Sequence, residues 1–149
     1  MDIQSTAHEI QLAVAPVFLL TGVAALLGVM TTRLSRVIDR ARSLEGDWSS
    51  LDEKGQVETR SELALLERRA HLASWAINAC TAAAFLVCVL IATLFVGGLV
   101  GTHLHWLVAA LFILTMAALI VGLVCFWREV YLAMHALRIG PPVSQLRRE

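Results

Sequence analysis

The chain has 149 residues, 58% of them apolar, and its 12 basic side chains balance its 12 acidic ones. One domain's worth of chain with this much apolar surface describes a polytopic membrane protein and excludes an ordinary soluble core. The zero net charge gives no footing for nucleic acid, but it hides an asymmetry: every Lys and Arg lies in 33–69 or 128–148.

The first helix is expected over 6–44. Thr6 and Glu9 have the spacing of a capping box, and Pro16 is positioned to kink the outer part. From Gln11 to Thr32 no residue is charged, a length that crosses a hydrocarbon core needing about 20 residues. Without a positive segment before the run or a small-residue cleavage site after it, the sequence reads as a retained span, not a signal peptide. Arg33, Arg36, Arg40 and Arg42 follow with no Gly or Pro to stop the helix. Two opposite faces continue through that boundary. Val23, Leu27, Met30, Leu34, Val37, Ala41 and Leu44 alternate steps of four and three, the spacing of a helix-packing seam. Thr21, Ala25, Gly28, Thr32, Ser35 and Asp39 keep the same spacing on the other side, and all are small or polar.

Residues 45–56 are polar and punctuated by Gly46 and Gly55, which predicts a loop. A second helix is expected from Val57, carrying Leu63, Leu66, Ala70 and Ala73 on one face, and running through Trp75 and Asn78 into an apolar stretch ending at Val100. Gly97, Gly98 and Gly101 loosen its end, and His103-Leu104-His105 turns the chain. A third apolar run, Trp106–Trp127, is expected to continue as helix to Arg138, where Gly140-Pro141-Pro142 stops it ahead of the tail, 143–149.

The expected architecture is therefore all-α and integral to a membrane, with spans of about 11–32, 75–100 and 106–127 in a single domain. Positive residues stay in the cytoplasm, which puts the 33–72 connection and the C-terminal segment 128–149 inside and the N-terminus outside. Trp75, Trp106 and Trp127 fall at the boundaries, as amphipathic aromatics do. The seams at Leu34–Leu44 and Leu63–Ala73 match in an antiparallel sense as Leu34–Ala73, Val37–Ala70, Ala41–Leu66 and Leu44–Leu63. Large residues then face alanine at three of the four steps, so 33–72 reads as a cytoplasmic helical hairpin, with Val130, Met134 and Leu137 as an added wall.

Nothing in the sequence reads as catalytic. No nucleophile–base pair, phosphate loop or paired buried carboxylate appears, and the spans hold no Asp, Glu, Lys, Arg or His of the kind ion-coupled transporters use. Cys80, Cys88 and Cys125 lie in apolar runs with no zinc-ligand spacing and read as small buried thiols. His103 and His105 lack a third metal ligand nearby, so they read as an interfacial turn, and no metal or cofactor is expected. Arg33, Arg36 and Arg40 lie within about 60° of one another on the helix. They serve either as lipid-headgroup anchors or as a basic ring around a pore mouth, and Asp39 is placed to pair with Arg36 or Arg42.

Three small or polar stripes remain: Thr21-Ala25-Gly28-Thr32-Ser35, Ser74-Asn78-Thr81-Cys88-Ala92, and Thr115-Ala118-Gly122-Cys125 leading to Glu129. Each fits close helix packing in lipid; the first also fits a water-lined path. Asn78, the most polar residue within a span, fits an interhelical hydrogen bond. The run Pro16–Gly22 followed by Thr32-Arg33-Leu34-Ser35-Arg36-Val37-Ile38-Asp39-Arg40-Ala41-Arg42 resembles the membrane family called domain of unknown function 2721. That resemblance implies a small bacterial inner-membrane protein and carries no catalytic residues. The leading expectation is a homo-oligomeric ion channel lined by the first helix. The alternative is a non-catalytic scaffold or accessory subunit whose hairpin binds a protein or anionic lipid. The expected partners are thus the bilayer, further copies of the chain and ions.

Overall fold

The computed structural model describes residues 3–48, 51–100 and 105–136. They form three helices: α1 (Ile3–Asp47), α2 (Glu53–Val100) and α3 (His105–Ala136). All three are long and apolar enough to cross a membrane. The described residues contain no strand, so the described protein is all-α. His103, Gly101, Leu137, the Gly140-Pro141-Pro142 stop and the tail lie outside the described residues.

The helices differ from expectation mainly at their ends. α1 is helical already from Ile3, ahead of the expected start at Thr6. α1 then continues unbroken through Pro16 to Asp47. α2 starts at Glu53, four residues before the expected Val57. The cause is Asp52, whose Oδ1 accepts the Gly55 N–H at 3.0 Å while its carbonyl accepts the Gln56 N–H at 2.9 Å. Asp52 is thus the N-cap, and the acidic Glu53 adds a favourable charge to the first turn. The expected loop 45–56 is thus helical up to Asp47 and again from Glu53. At the other end α2 carries Gly97 and Gly98 within its helix.

α2 is the common partner: α1 and α3 each pack along it and scarcely touch each other. The α1 seam is placed as its spacing predicts. Val23, Met30 and Val37 are buried; Leu27, Leu34, Ala41 and Leu44 are half-buried. Leu66 and Ala73 on α2 are buried, with Leu63 and Ala70 partly so. That seam runs on through Ala76, Cys80, Ala83, Val87 and Leu90, all buried, at steps of three and four. Small residues at 73, 76, 80 and 83 let neighbours approach α2 closely, which is how helices associate where lipid removes the hydrophobic drive. The core joins Val23 and Met30 of α1 to Ala76, Cys80 and Ala83 of α2 and Leu119 of α3.

Some faces lie differently within the protomer than their spacing suggests. On α2, Asn78, Thr81, Cys88 and Ala92 are exposed and Ser74 half-buried, because the alanine seam, not this polar stripe, meets the neighbours. Asn78 makes no interhelical hydrogen bond among the described residues. Cys80 is a buried thiol and Cys125 is partly covered, but Cys88 faces outward. The wall expected from α3 is also partial: Val130 is half-buried and Met134 is exposed, since α3 lies on α2 and not across both helices.

Candidate functional site

The three helices meet chemically at the level where charge first appears. Gly122 sets this up. A Cβ there would lie 2.7 Å from Cys80 Sγ and 3.3 Å from the Ala76 carbonyl oxygen, so only glycine allows α3 this close to α2. The face that carries Gly122 also carries Thr115, which is buried, and Ala118 and Cys125, which are partly so. Two turns beyond Gly122 it places Glu129 against α2, 1% exposed.

A carboxylate that deep needs a cation, and it has two. Arg69 of α2 donates to Glu129 Oε1 from Nη2 at 2.9 Å and from Nε at 3.3 Å. Arg33 of α1 brings its Nε to 3.7 Å from Oε2, too far for a hydrogen bond. Oε2 therefore has no hydrogen-bond partner, although it is buried. The Arg33 guanidinium also lies over the Phe126 ring, 5.6 Å from its centroid, close enough for a cation–π attraction. One buried carboxylate thus ties all three helices, tightly to α2 and loosely to α1.

Beside this clamp, between α1 and α2, is a cleft of about 230 Å³ lined by Arg33, Arg36, Arg69, Val37 and Leu66. Three guanidinium groups and one carboxylate leave it with two uncompensated positive charges. Arg36 is exposed and has no ion-pair partner among the described residues; Asp39, expected to pair with it or with Arg42, joins neither. Arg40 instead reaches Glu62 of α2 at 3.0 Å. Both partners are substantially exposed, so that pair contributes roughly 0–1 kcal/mol. Farther from the spans, a larger cleft of about 660 Å³ opens between the same two helices. Val37, Ala41, Leu63, Leu66 and Ala70 make its apolar lining; Arg42, Glu45, Arg60 and Glu67 add charge.

The first-helix stripe is not part of either cleft. Thr21, Ala25, Gly28, Thr32 and Ser35 are all exposed, and a Cβ added at Gly22 or Gly28 would meet nothing within 4 Å. The hydroxyls donate back into their own helix: Thr21 to the Val17 carbonyl at 3.2 Å, Thr32 to Gly28 and Ser35 to Thr31, both at 2.8 Å. Of the basic cluster, Arg33 and Arg36 enter the small cleft, Arg40 is paired, and Arg42 lies on the larger one.

Arg69 and Glu129 were not singled out as a site by the sequence. Sixty residues separate them, and no local spacing links them. The signal that existed was Glu129 itself, an acid continuing the small-residue face of α3 as Asp39 continues that of α1. His103 lies outside the described residues, among which no three His, Cys, Asp or Glu side chains converge to hold a metal. A family model described as "Protein of unknown function (DUF2721)" matches residues 13–139, a range that includes Arg33, Arg69 and Glu129. No curated protein and no solved structure matches the chain.

Proposed function

Because the chain belongs to the DUF2721 family, which brings no activity with it, we propose its function from geometry: a non-catalytic membrane scaffold that presents a helical hairpin to a protein partner. Its spans lie in a bacterial inner membrane with the N-terminus outside and the charged ends of all three helices in the cytoplasm, as the one-sided Lys and Arg distribution favours. Beyond the clamp, α1 runs from Arg33 to Asp47, about 20 Å of helix at 1.5 Å per residue. It packs there on α2, which supports the antiparallel 33–72 hairpin.

The observation that carries this reading is the larger cleft, with its apolar lining between the two extensions and charge around it. Grooves of this kind receive an amphipathic helix through regularly spaced apolar anchors. The buried Glu129 pair supplies what a scaffold needs, a fixed angle between hairpin and membrane. Photo-crosslinkers placed at Ile38 and Ala64, on the cleft, should give adducts heavier than the protomer in native membranes. One at Asp39, on the opposite face, should not. Equal yields at all three positions would remove the scaffold reading.

A second reading is favoured by one separate observation, the uncovered first-helix face with Gly22 and Gly28 open. In it several copies assemble as an ion channel, with Thr21, Ala25, Gly28, Thr32 and Ser35 toward the axis. Three helices are too few to enclose a hydrated path, so this reading requires a homo-oligomer. Single cysteines at Thr21, Gly28 and Thr32, in a background lacking the native three, should then react with a charged impermeant reagent and alter ion flux. Cysteines at Val23 and Leu27 should stay protected. Flux that no stripe modification changes would rule the channel out.

A further inference from the structure

We infer that the small cleft between α1 and α2 is a binding site for a phosphate-class oxyanion, with Arg33 and Arg36 as its direct ligands and Arg69 as its fixed wall. This goes beyond the scaffold reading and rests on that reading only for the depth of the cleft in the membrane.

The three arginines are held to different degrees. Arg69 is committed, since both of its short contacts go to Glu129 Oε1. Arg33 is poised: Phe126 and Glu129 position it, yet its Nε stays 3.7 Å from the carboxylate and its side chain is 36% exposed. Arg36 has no anionic partner among the described residues. A guanidinium presents its donors as a planar fork that matches two oxygens at once, so two adjacent, underused forks select phosphate over a monovalent halide.

Size and place narrow the ligand further. About 230 Å³ is below the usual range for a whole drug-sized ligand, so the cleft takes a charged group and not an extended molecule. Arg33 is the first charge after an uncharged span, and the exposed Trp75 and Trp127 mark the neighbouring boundary on α2 and α3. That is the depth of phospholipid headgroups. A lipid phosphodiester and free inorganic phosphate share this chemistry, and the measurement below separates them.

Purified protein would be titrated in micelles with phosphatidylglycerol, with phosphatidylcholine and, separately, with inorganic phosphate, reading bound lipid by native mass spectrometry and thermal stability in parallel. Phosphatidylglycerol should bind and stabilise the protein more than phosphatidylcholine, whose phosphodiester is the same but whose choline cation is repelled by the excess positive charge of the cleft. Arg36→Gln should weaken that binding about fivefold, the effect of one arginine at a charged membrane surface. Its melting temperature without anionic lipid should stay that of the parent, because Arg36 takes no part in the clamp. If inorganic phosphate alone reproduces the stabilisation and Arg36→Gln abolishes it, the site stands with free phosphate as its source. Arg128→Gln removes the same charge near the same boundary on α3. Equal losses from the two variants, or no loss from Arg36→Gln with either ligand, would overturn the site. None of these outcomes depends on cross-linking from Ile38, so the site and the scaffold fail separately.

Discussion

α1 and α3 carry small-residue faces of similar composition and spacing, and the fold treats them oppositely. On α3, Thr115, Ala118, Gly122, Cys125 and Glu129 turn toward α2, and Gly122 is essential to the approach. On α1, Thr21, Ala25, Gly28, Thr32 and Ser35 turn away, and Gly28 has empty space where a side chain would be. What separates them is the other side of each helix. Opposite its small face α1 has the larger seam Val23, Leu27, Met30 and Leu34, which fits the alanine-rich side of α2. α3 offers α2 its small face and leaves Ile113, Ile120, Val121 and Val124 outside. Small residues mark where a helix is able to approach another, while the partner's own profile decides whether it does.

The largest effect should come from breaking the α3 face at its charged end. Glu129→Ala leaves Arg69 beside an uncompensated cavity and releases Arg33, and removing one member of a buried pair costs about 3–5 kcal/mol. Unfolding free energy in micelles measures it. The double variant Glu129→Met with Arg69→Met should recover most of that loss, because a well-packed apolar pair often matches a buried ionic one. A double variant no more stable than Glu129→Ala would mean that the carboxylate does more than hold the helices together.

Next in size is Gly122→Leu. Its Cβ alone would need Cys80 Sγ and the Ala76 backbone to move, and overpacking of this kind costs about 1–3 kcal/mol. Substituting Cys80→Ala in the same chain should return part of the loss, since it removes the nearest atom. If Gly122→Leu is neutral, α3 does not lie as close to α2 as its contacts require, and the contrast with α1 disappears. Arg40→Ala should cost no more than about 1 kcal/mol, the limit for an exposed pair, and should leave the clamp intact.

The largest of these effects lies where the sequence was least legible. The spans, the α1 seam and the Leu63–Ala73 seam are local periodicities, and a helix displays its own period whatever it packs against. The start of α2 is hidden in the sequence because Gly55 looks like a breaker, when it is instead the N–H donor to the Asp52 cap. On α2 two faces have equally regular spacing, Ser74-Asn78-Thr81 and Ala73-Ala76-Cys80-Ala83, and only the second carries the packing within the protomer. The clamp is a different case. Arg33, Arg69 and Glu129 lie on three helices, and their meeting depends on rotation and axial register that no single-helix pattern contains.

The smallest effect is expected at Gly28→Leu, and its smallness is informative. A Cβ at Gly28 meets nothing within 4 Å, and the residue is exposed, so the side chain adds no clash inside the protomer. The Thr32 hydroxyl bonds the Gly28 carbonyl, which the substitution keeps. Unfolding free energy should therefore change by no more than about 0.5 kcal/mol, as at other surface positions without special contacts. The measurement belongs first in dilute micelles, where copies are separate, and then in proteoliposomes at high protein density. An unchanged melting temperature and unchanged oligomer mass in both would leave the α1 face to lipid, in keeping with a scaffold. An effect confined to the dense bilayer, with loss of a larger species or of flux, would show that a second copy uses this face and would favour the channel. A loss near that of Gly122→Leu in dilute micelles would place the face inside the protomer, and the contrast between α1 and α3 would be wrong.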